Sequence, residues 1–240
     1  MQRVQLQCAA MLSIDPETLS RKERYELLIQ AVTPRPIGFI STVSGEGRTN
    51  IAPYSFFNAV AAEPMTLLFC PVTGRDGRDK DSLRNAYPPK QPQDSAAVEF
   101  SGQGGRGISG GTGCFVANIV LNHHAQAVAD AGQDWETSEF EALGLEAAPS
   151  RCVAAPRLSG APAAFECETL EIVRLGDGAA GTGNIVIGKV VHIWLDPEHF
   201  DAKGRLINGV LPALARLGGN LYCQVQAPFS TPISKLPSKQ

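Results

Sequence analysis

Long apolar runs are missing from this sequence. The longest, such as Thr66–Pro71 and Ile185–Ile187, have the length of a strand, whereas a membrane-spanning helix needs about 20 apolar residues. The first residues, Met1 to Leu12, offer one arginine and a short apolar patch from Cys8, too little for a secretory signal. Charge of one sign is missing too. There are 21 lysines and arginines against 24 acidic residues, interspersed, for a net charge of −3, so no basic face for nucleic acid or anionic membrane is expected. Cysteine pairs are absent: Cys8, Cys70, Cys114, Cys152, Cys167 and Cys223 lie far apart, with no C-x-x-C. That spacing argues against a zinc site or a disulfide framework and predicts reduced thiols in a cytoplasmic protein.

Familiar catalytic signatures are scarce as well. No G-x-S-x-G elbow is present. His123 and His124 are adjacent and cannot share one helical face, while His192 sits between Val191 and Ile193 in a strand pattern, so no metal site is expected. Two G-x-G-x-x-G matches occur, Gly102–Gly107 and Gly176–Gly181, but neither is followed by a helix, and a dinucleotide site needs a helix N-terminus there. The first reads as a loop and the second as a hairpin turn. Glu166, Glu168 and Glu171, with Arg174 nearby to balance them, read as a solvated strand face.

What is present is mostly strand. Ser20 and Glu23 form a capping box ahead of Tyr25, Leu28, Ile29 and Val32 at helical spacing. That helix must stop before Pro34. Strands are predicted on either side of Gly45-Glu46-Gly47, over Phe56–Val60 and Met65–Val72, over Cys114–Val120, and as a long hairpin from Ala164–Leu175 and Asn184–Leu195. Short helices are predicted from Asn122 through Ala131, from Thr137 or Ser138 through Leu143, and over Val210–Leu217 before Gly218-Gly219. A last strand covers Leu221–Gln226. About seven strands without βαβ alternation indicate a mainly β, antiparallel barrel with a few short peripheral helices. No linker divides the chain, so one domain over residues 1–240 is expected, with an N-terminal helical extension to about residue 33. The stretch from Tyr87 to Gly113, with its prolines and seven glycines after residue 101, reads as an inserted loop.

The most informative stretch runs from Pro34 to Ser82. It holds Pro34-Arg35-Pro36, then Asn50-Ile51-Ala52-Pro53-Tyr54-Ser55-Phe56-Phe57-Asn58, then Lys80-Asp81-Ser82. Amide, hydroxyl and backbone donors fall in one bend stiffened by Pro53, and Lys80 with Ser82 makes a reasonable phosphate clamp. Arg35 and Ser41 or Thr42 can assist from the first strand. This succession resembles the flavin reductase-like family of FMN-binding split barrels. So do Cys114–Val120, Glu139–Leu145 with Pro149-Ser150, Phe165-Glu166-Cys167, Gly183–His192, and Arg216–Gly219 with Tyr222, all in order.

The resemblance implies an antiparallel split β-barrel of Greek-key type that binds FMN, with FAD as the alternative. The flavin-holding residues it implies are Arg35, Thr42, Asn50, Ala52, Pro53, Tyr54, Ser55, Asn58, Lys80, Asp81 and Ser82. Asn118, His192, Arg216 and Tyr222 are weaker candidates for the same pocket. It further implies an oxidoreductase taking hydride from NAD(P)H and passing electrons to a flavin, a monooxygenase partner or another acceptor, in a homodimer. No side chain is expected to act as a catalytic acid or base, because the cofactor carries the chemistry. Two alternatives stand beside it: a flavin-binding carrier or sensor without a nicotinamide site, and a structural barrel that has lost its flavin.

Overall fold

The computed structural model describes residues 11–89 and 111–231. A 3-10 turn at Pro16–Thr18 leads into helix α1, Arg21–Ala31. The helix begins where Ser20 and Glu23 satisfy each other: Ser20 N donates to Glu23 Oε2 at 2.8 Å, and Glu23 N to Ser20 Oγ at 3.3 Å. The first strands are β1 Arg35–Pro36, β2 Gly38–Val43, β3 Thr49–Tyr54, β4 Phe57–Ala62 and β5 Met65–Phe69, followed by helix α2, Asp81–Ala86. After β6, Cys114–Ile119, come α3 Ala125–Asp130, α4 Glu139–Ala142 and the short strands β7 Ala147–Ala148 and β8 Arg157–Leu158. The long hairpin is β9 Ala163–Arg174 and β10 Asn184–Leu195, and the last strands are β11 Leu214–Arg216 and β12 Tyr222–Gln224.

Seven strands form one antiparallel sheet in the order β3-β2-β6-β9-β10-β5-β4. Its two edge strands, β3 and β4, are consecutive in the chain and joined only by Ser55 and Phe56. Two residues cannot span an open seven-stranded sheet, whose neighbouring strands are about 4.8 Å apart. The sheet therefore curls until the end of β3 lies close to the start of β4, as in a split barrel. Small residues permit this closure. Gly38 on β2 lies under the ring of Phe57 on β4, where a Cβ would come within 2.6 Å of the ring. Gly188 similarly makes room for Phe115.

The inward-facing residues form the main core: Ile40, Tyr54, Phe57, Leu67, Phe69, Phe115, Cys167, Ile172 and Val186, with Leu83 and Ala86 of α2 closing one end. Fully burying a side chain such as Phe69 or Phe115 contributes about 2–3 kcal/mol. On the outer side, Phe39, Ile51 and Val120 pack under Val128 of α3, Phe140 of α4 and Leu214 of β11. A third cluster joins Val43, Cys114 and Val116 to Ala155 and Ala164.

Several expectations are corrected. Val210 to Leu217 was expected to be helical, but Leu214–Arg216 is a strand that pairs Arg216 with Arg35 and Tyr222. Leu214 meets the apolar spacing of either element, and its amide donates to Val120 O at 2.8 Å; tertiary pairing decides. Asn122 lies inside a 3-10 turn and does not cap α3. Glu166 does not belong to a solvated face: it is wholly buried, whereas Glu168 is exposed. Its carboxylate accepts N–H groups from Arg151 at 2.8 Å, Cys152 at 2.6 Å and Trp194 Nε1 at 2.6 Å. Burial raises its pKa, but these donors outweigh burial and hold it below the usual carboxylate range. Arg174 balances none of the three glutamates; it pairs with Asp79.

The second glycine-rich match is the β9–β10 turn, where Gly176, Gly178 and Gly181 have φ of 78°, 78° and 79°, values open to glycine without strain. The first match, most of the inserted loop and Cys8 lie outside the described residues. Among the described residues no helix is long and apolar enough to cross a membrane, and the five cysteines are free thiols.

Candidate functional site

Strand alternation divides the residues that the sequence singles out. Pairing of β2 with β3 sets Thr42 opposite Asn50, Ile40 opposite Ala52 and Gly38 opposite Tyr54, all on the side of the main core. Helix α2 covers that end. Ser82 and Asn85 are three residues apart and share its inner face. Asn50 Nδ2 donates to Ser82 Oγ at 3.0 Å and to Thr42 Oγ1 at 3.4 Å, and Asn85 Nδ2 donates to Thr42 Oγ1 at 3.0 Å. Tyr54 shares a side-chain hydrogen bond with Ser82, and burial pushes its phenol up to about 12. Thr42, Asn50, Ser82 and Asn85 are all buried. Each would be costly alone; joined, they fix the start of α2 against β2 and β3.

That placement sets Lys80 and Asp81 at the edge of the polar cluster. Lys80 is exposed, immediately precedes α2, and makes no ion pair among the described residues. Asp81 pairs with Arg84. One residue before Lys80, Asp79 is held by Arg174 through Nη1 at 3.1 Å and a second, shorter contact from Nη2, while Arg174 Nε donates to Tyr87 Oη at 3.0 Å. The segment carrying Lys80 is thus anchored on both sides, by Asp79 to β9 and by Ser82 to β3.

Arg35, Pro53 and Ser55 fall on the other side of the sheet. Arg35 is buried and its guanidinium is largely engaged. Nη1 donates to Ile29 O at 2.6 Å and Val32 O at 2.8 Å, Nη2 to Leu217 O at 2.8 Å, and Nε to Ser55 Oγ at 3.2 Å. It ties the end of α1 to the bend after β3. Pro53 occupies edge strand β3, where a missing N–H costs least. Glu139 of α4 covers the same strand by accepting the Ile51 amide at 3.1 Å. Its pKa is raised, chiefly by burial and also by nearby Asp81. Asn58 is exposed on β4, apart from both groups.

Of the weaker candidates, Asn118 is internal and donates to Phe39 O at 2.8 Å and Ser41 Oγ at 3.1 Å. His192 stacks edge-on against Trp194 with ring centres 5.1 Å apart. Arg216 and Tyr222 line a cavity with Arg35, Pro53 and Ser55. Sequence reasoning missed Asn85, Asp79 and Glu139 as parts of the framework. Asn85 was within reach, since it follows Ser82 at helical spacing. The Asp79–Arg174 pair spans 95 residues and left no local signal.

The donor set can be tested against a flavin phosphate and the electron-rich edge of the ring. Ser55 Oγ accepts from Arg35, so its own O–H is left to donate. Asn58 Oδ1 accepts the Ala59 amide at 2.9 Å, which leaves its NH2 facing outward. The Lys80 ammonium joins these donors, the flanking Asp79 and Asp81 being paired with Arg174 and Arg84, and Pro53 and Phe56 add apolar surface at the bend. By chemistry these residues suit an anionic, planar group, although Ser55, Asn58 and Lys80 stand on different elements.

Comparison with known proteins decides the family. A profile described as a flavin reductase like domain matches residues 31–214. The chain belongs to the flavin reductase-like family. It is 33% identical over 222 residues to a protein of Halalkalibacterium halodurans, covering 91% of this chain and 95% of that one. Among solved structures it is similar to nitrilotriacetate monooxygenase component B from Bacillus cereus, with 29% identity and a TM-score of 0.76, covering 93% and 100% of the two chains. It is also similar to the 2-nitrobenzoate 2-nitroreductase NbaA of Pseudomonas fluorescens, with 27% identity and a TM-score of 0.74 over 95% and 99%. A split-barrel flavin reductase from Shewanella frigidimarina, at 16% identity and a TM-score of 0.71, shares the fold. Membership in this family makes the chain a flavin-linked protein of oxidoreductase type.

Proposed function

We propose that this flavin reductase-like chain binds FMN along β3 and α2 and works as an NAD(P)H-dependent oxidoreductase. The observation that supports the reading is the hydrogen-bonded group of Thr42, Asn50, Tyr54 and Ser82, which fixes the start of α2, and with it Lys80, against β2 and β3. Lys80 and the start of α2 would hold the phosphate. Ala52, Pro53, Tyr54 and Ser55 would hold the ring, with Asn58 as an outer donor. Thr42, Asn50 and Asp81 position these groups, and Arg35 acts through Ser55. When bound, flavin would supply the redox chemistry, a two-electron transfer from a reduced nicotinamide to an acceptor. The chain's own part is to bind, orient and exclude water.

A second copy of the chain fits the exposed side of α1. Tyr25, Leu28 and Val32 are 55%, 52% and 57% exposed while Ile29 alone is buried, an unusual surface for a helix with no partner. This supports a homodimer. Similarity to a monooxygenase component supports a monooxygenase partner as acceptor, and similarity to a nitroreductase supports a small organic one. Free thiols among the described cysteines favour the cytoplasm.

The test is an anaerobic titration of FMN-loaded protein with NADH and NADPH, followed by bleaching of the visible flavin band. Rapid bleaching by either is expected and names the donor. A bound flavin that dithionite reduces but neither nicotinamide does would replace the reductase reading with a carrier or sensor.

A further inference from the structure

On the outer side of β3, away from the Thr42–Asn50–Ser82 cluster, lies a cavity of about 340 Å³, within the range of small-molecule sites. Its apolar wall comes from Ile29 of α1, Ile37 beside β2, Pro53 of β3 and Val128 of α3. Tyr25 and Tyr222 add two phenol rings, and Gln133 and Ser55 add polar groups. Arg35 and Arg216, register partners on β1 and β11, both face it. Among the described residues, no aspartate or glutamate lines it.

The charge is what makes this cavity unusual. Two guanidinium groups share one concave surface without a carboxylate to balance them. Arg35 is 4% exposed, and both its burial and Arg216 disfavour its charge. Arg216 lies over Tyr222, its Cζ 4.3 Å from the ring centre, and donates from Nε and Nη2 to Gly219 O and from Nη1 to Tyr222 Oη. Those bonds use three of the five N–H groups an arginine carries. The remaining two have no protein partner among the described residues. An arginine so oriented recognises a planar anion, and a carboxylate takes two parallel N–H bonds.

We propose that this cavity is a binding site for a small carboxylic acid with a flat, apolar body. Its carboxylate meets Arg216, with Arg35 adding positive field, and its body lies against Ile37, Pro53 and Val128. Gly132 and Ala129 of the α3 region form an open rim, since Ala129 is exposed and Gly132 carries no side chain. Pro53 and Ser55 belong both to this cavity and to the proposed flavin site, so the probe is titrated with and without FMN.

Benzoate is the probe and benzamide its uncharged counterpart, titrated by calorimetry into the full chain, both free of flavin and loaded with FMN. Benzoate is expected to bind at least about tenfold more tightly than benzamide. Arg216→Gln should weaken benzoate about tenfold and leave benzamide nearly unchanged. Ala129→Phe, at an exposed helix position on the rim, should weaken both while leaving the arginines in place, so it decides the matter if Arg216→Gln does not fold. Equal binding of the two probes, or benzoate binding untouched by Ala129→Phe, overturns the proposal. A chain that takes benzoate but no FMN would sink the proposed function and leave this site standing.

Discussion

Asp79 and Arg174 form a two-pronged ion pair that fixes the chain one residue before Lys80. The side chains are 11% and 18% exposed, so the pair is shielded enough for the loss of one partner to matter. Arg174→Met would leave the Asp79 carboxylate without its cation and free Tyr87 Oη from Nε. The expected loss is about 2–3 kcal/mol in urea unfolding. Because Lys80 then loses its anchor, FMN affinity should fall as well, by about three- to tenfold in a fluorescence titration. Lost stability with unchanged FMN affinity would detach Asp79 from the flavin site.

Glu166 should behave as an internal fastener. Its carboxylate holds Arg151, Cys152 and Trp194 by three N–H bonds, and Glu166→Gln replaces one acceptor oxygen with a donor. A loss of about 2–4 kcal/mol is expected. Its folded pKa lies below the unfolded value, so its stabilising effect is full above about 4.5 and disappears as pH falls through the folded pKa. Acid unfolding below about pH 4.5 should therefore be shallower in the glutamine variant. Parallel acid curves would contradict this role.

His124 carries a second pH dependence. Burial, and then the adjacent His123, lower its pKa from 6.5 to about 4, and its Nδ1 accepts the Leu121 amide at 3.2 Å. The unfolded chain takes up a proton below about 6.5 that the folded one refuses, so stability must fall as pH drops from about 6.5 to 4. His124→Leu should remove about 1–2 kcal/mol of that fall. The comparison is urea midpoints at pH 7 and pH 5 for both proteins.

Gly38 is required by closure of the sheet. Gly38→Ala places a Cβ 2.6 Å from the Phe57 ring, and the expected cost is about 1–3 kcal/mol. Phe57→Leu in the same chain should recover part of it, because a smaller side chain can yield. Additive losses in the double variant would show that the two do not press on each other.

Much of this architecture is legible in the sequence, for physical reasons that differ by element. The capping box at Ser20 and Glu23, the Gly45–Gly47 turn and the β9–β10 hairpin are local, and each appears where the pattern places it. The buried role of Glu166 is not local. Alternation puts Glu166 and Glu168 on one face, but only the fold shows that residues 151–152 close over the first. Leu214 fails differently, since three residues of spacing cannot separate helix from strand. The central stretch gave the polar cluster by composition and motif. What it could not give is that the folded strands leave Arg35, Pro53 and Ser55 on one side and Thr42, Asn50 and Tyr54 on the other.

The most direct measurement is FMN affinity, by quenching of flavin fluorescence, for the native chain, Lys80→Ala and Ser55→Ala. The account predicts binding by the native chain and a loss of about tenfold for Lys80→Ala, with a smaller loss for Ser55→Ala. Unchanged affinity in both variants would contradict the placement of the flavin on β3 and α2.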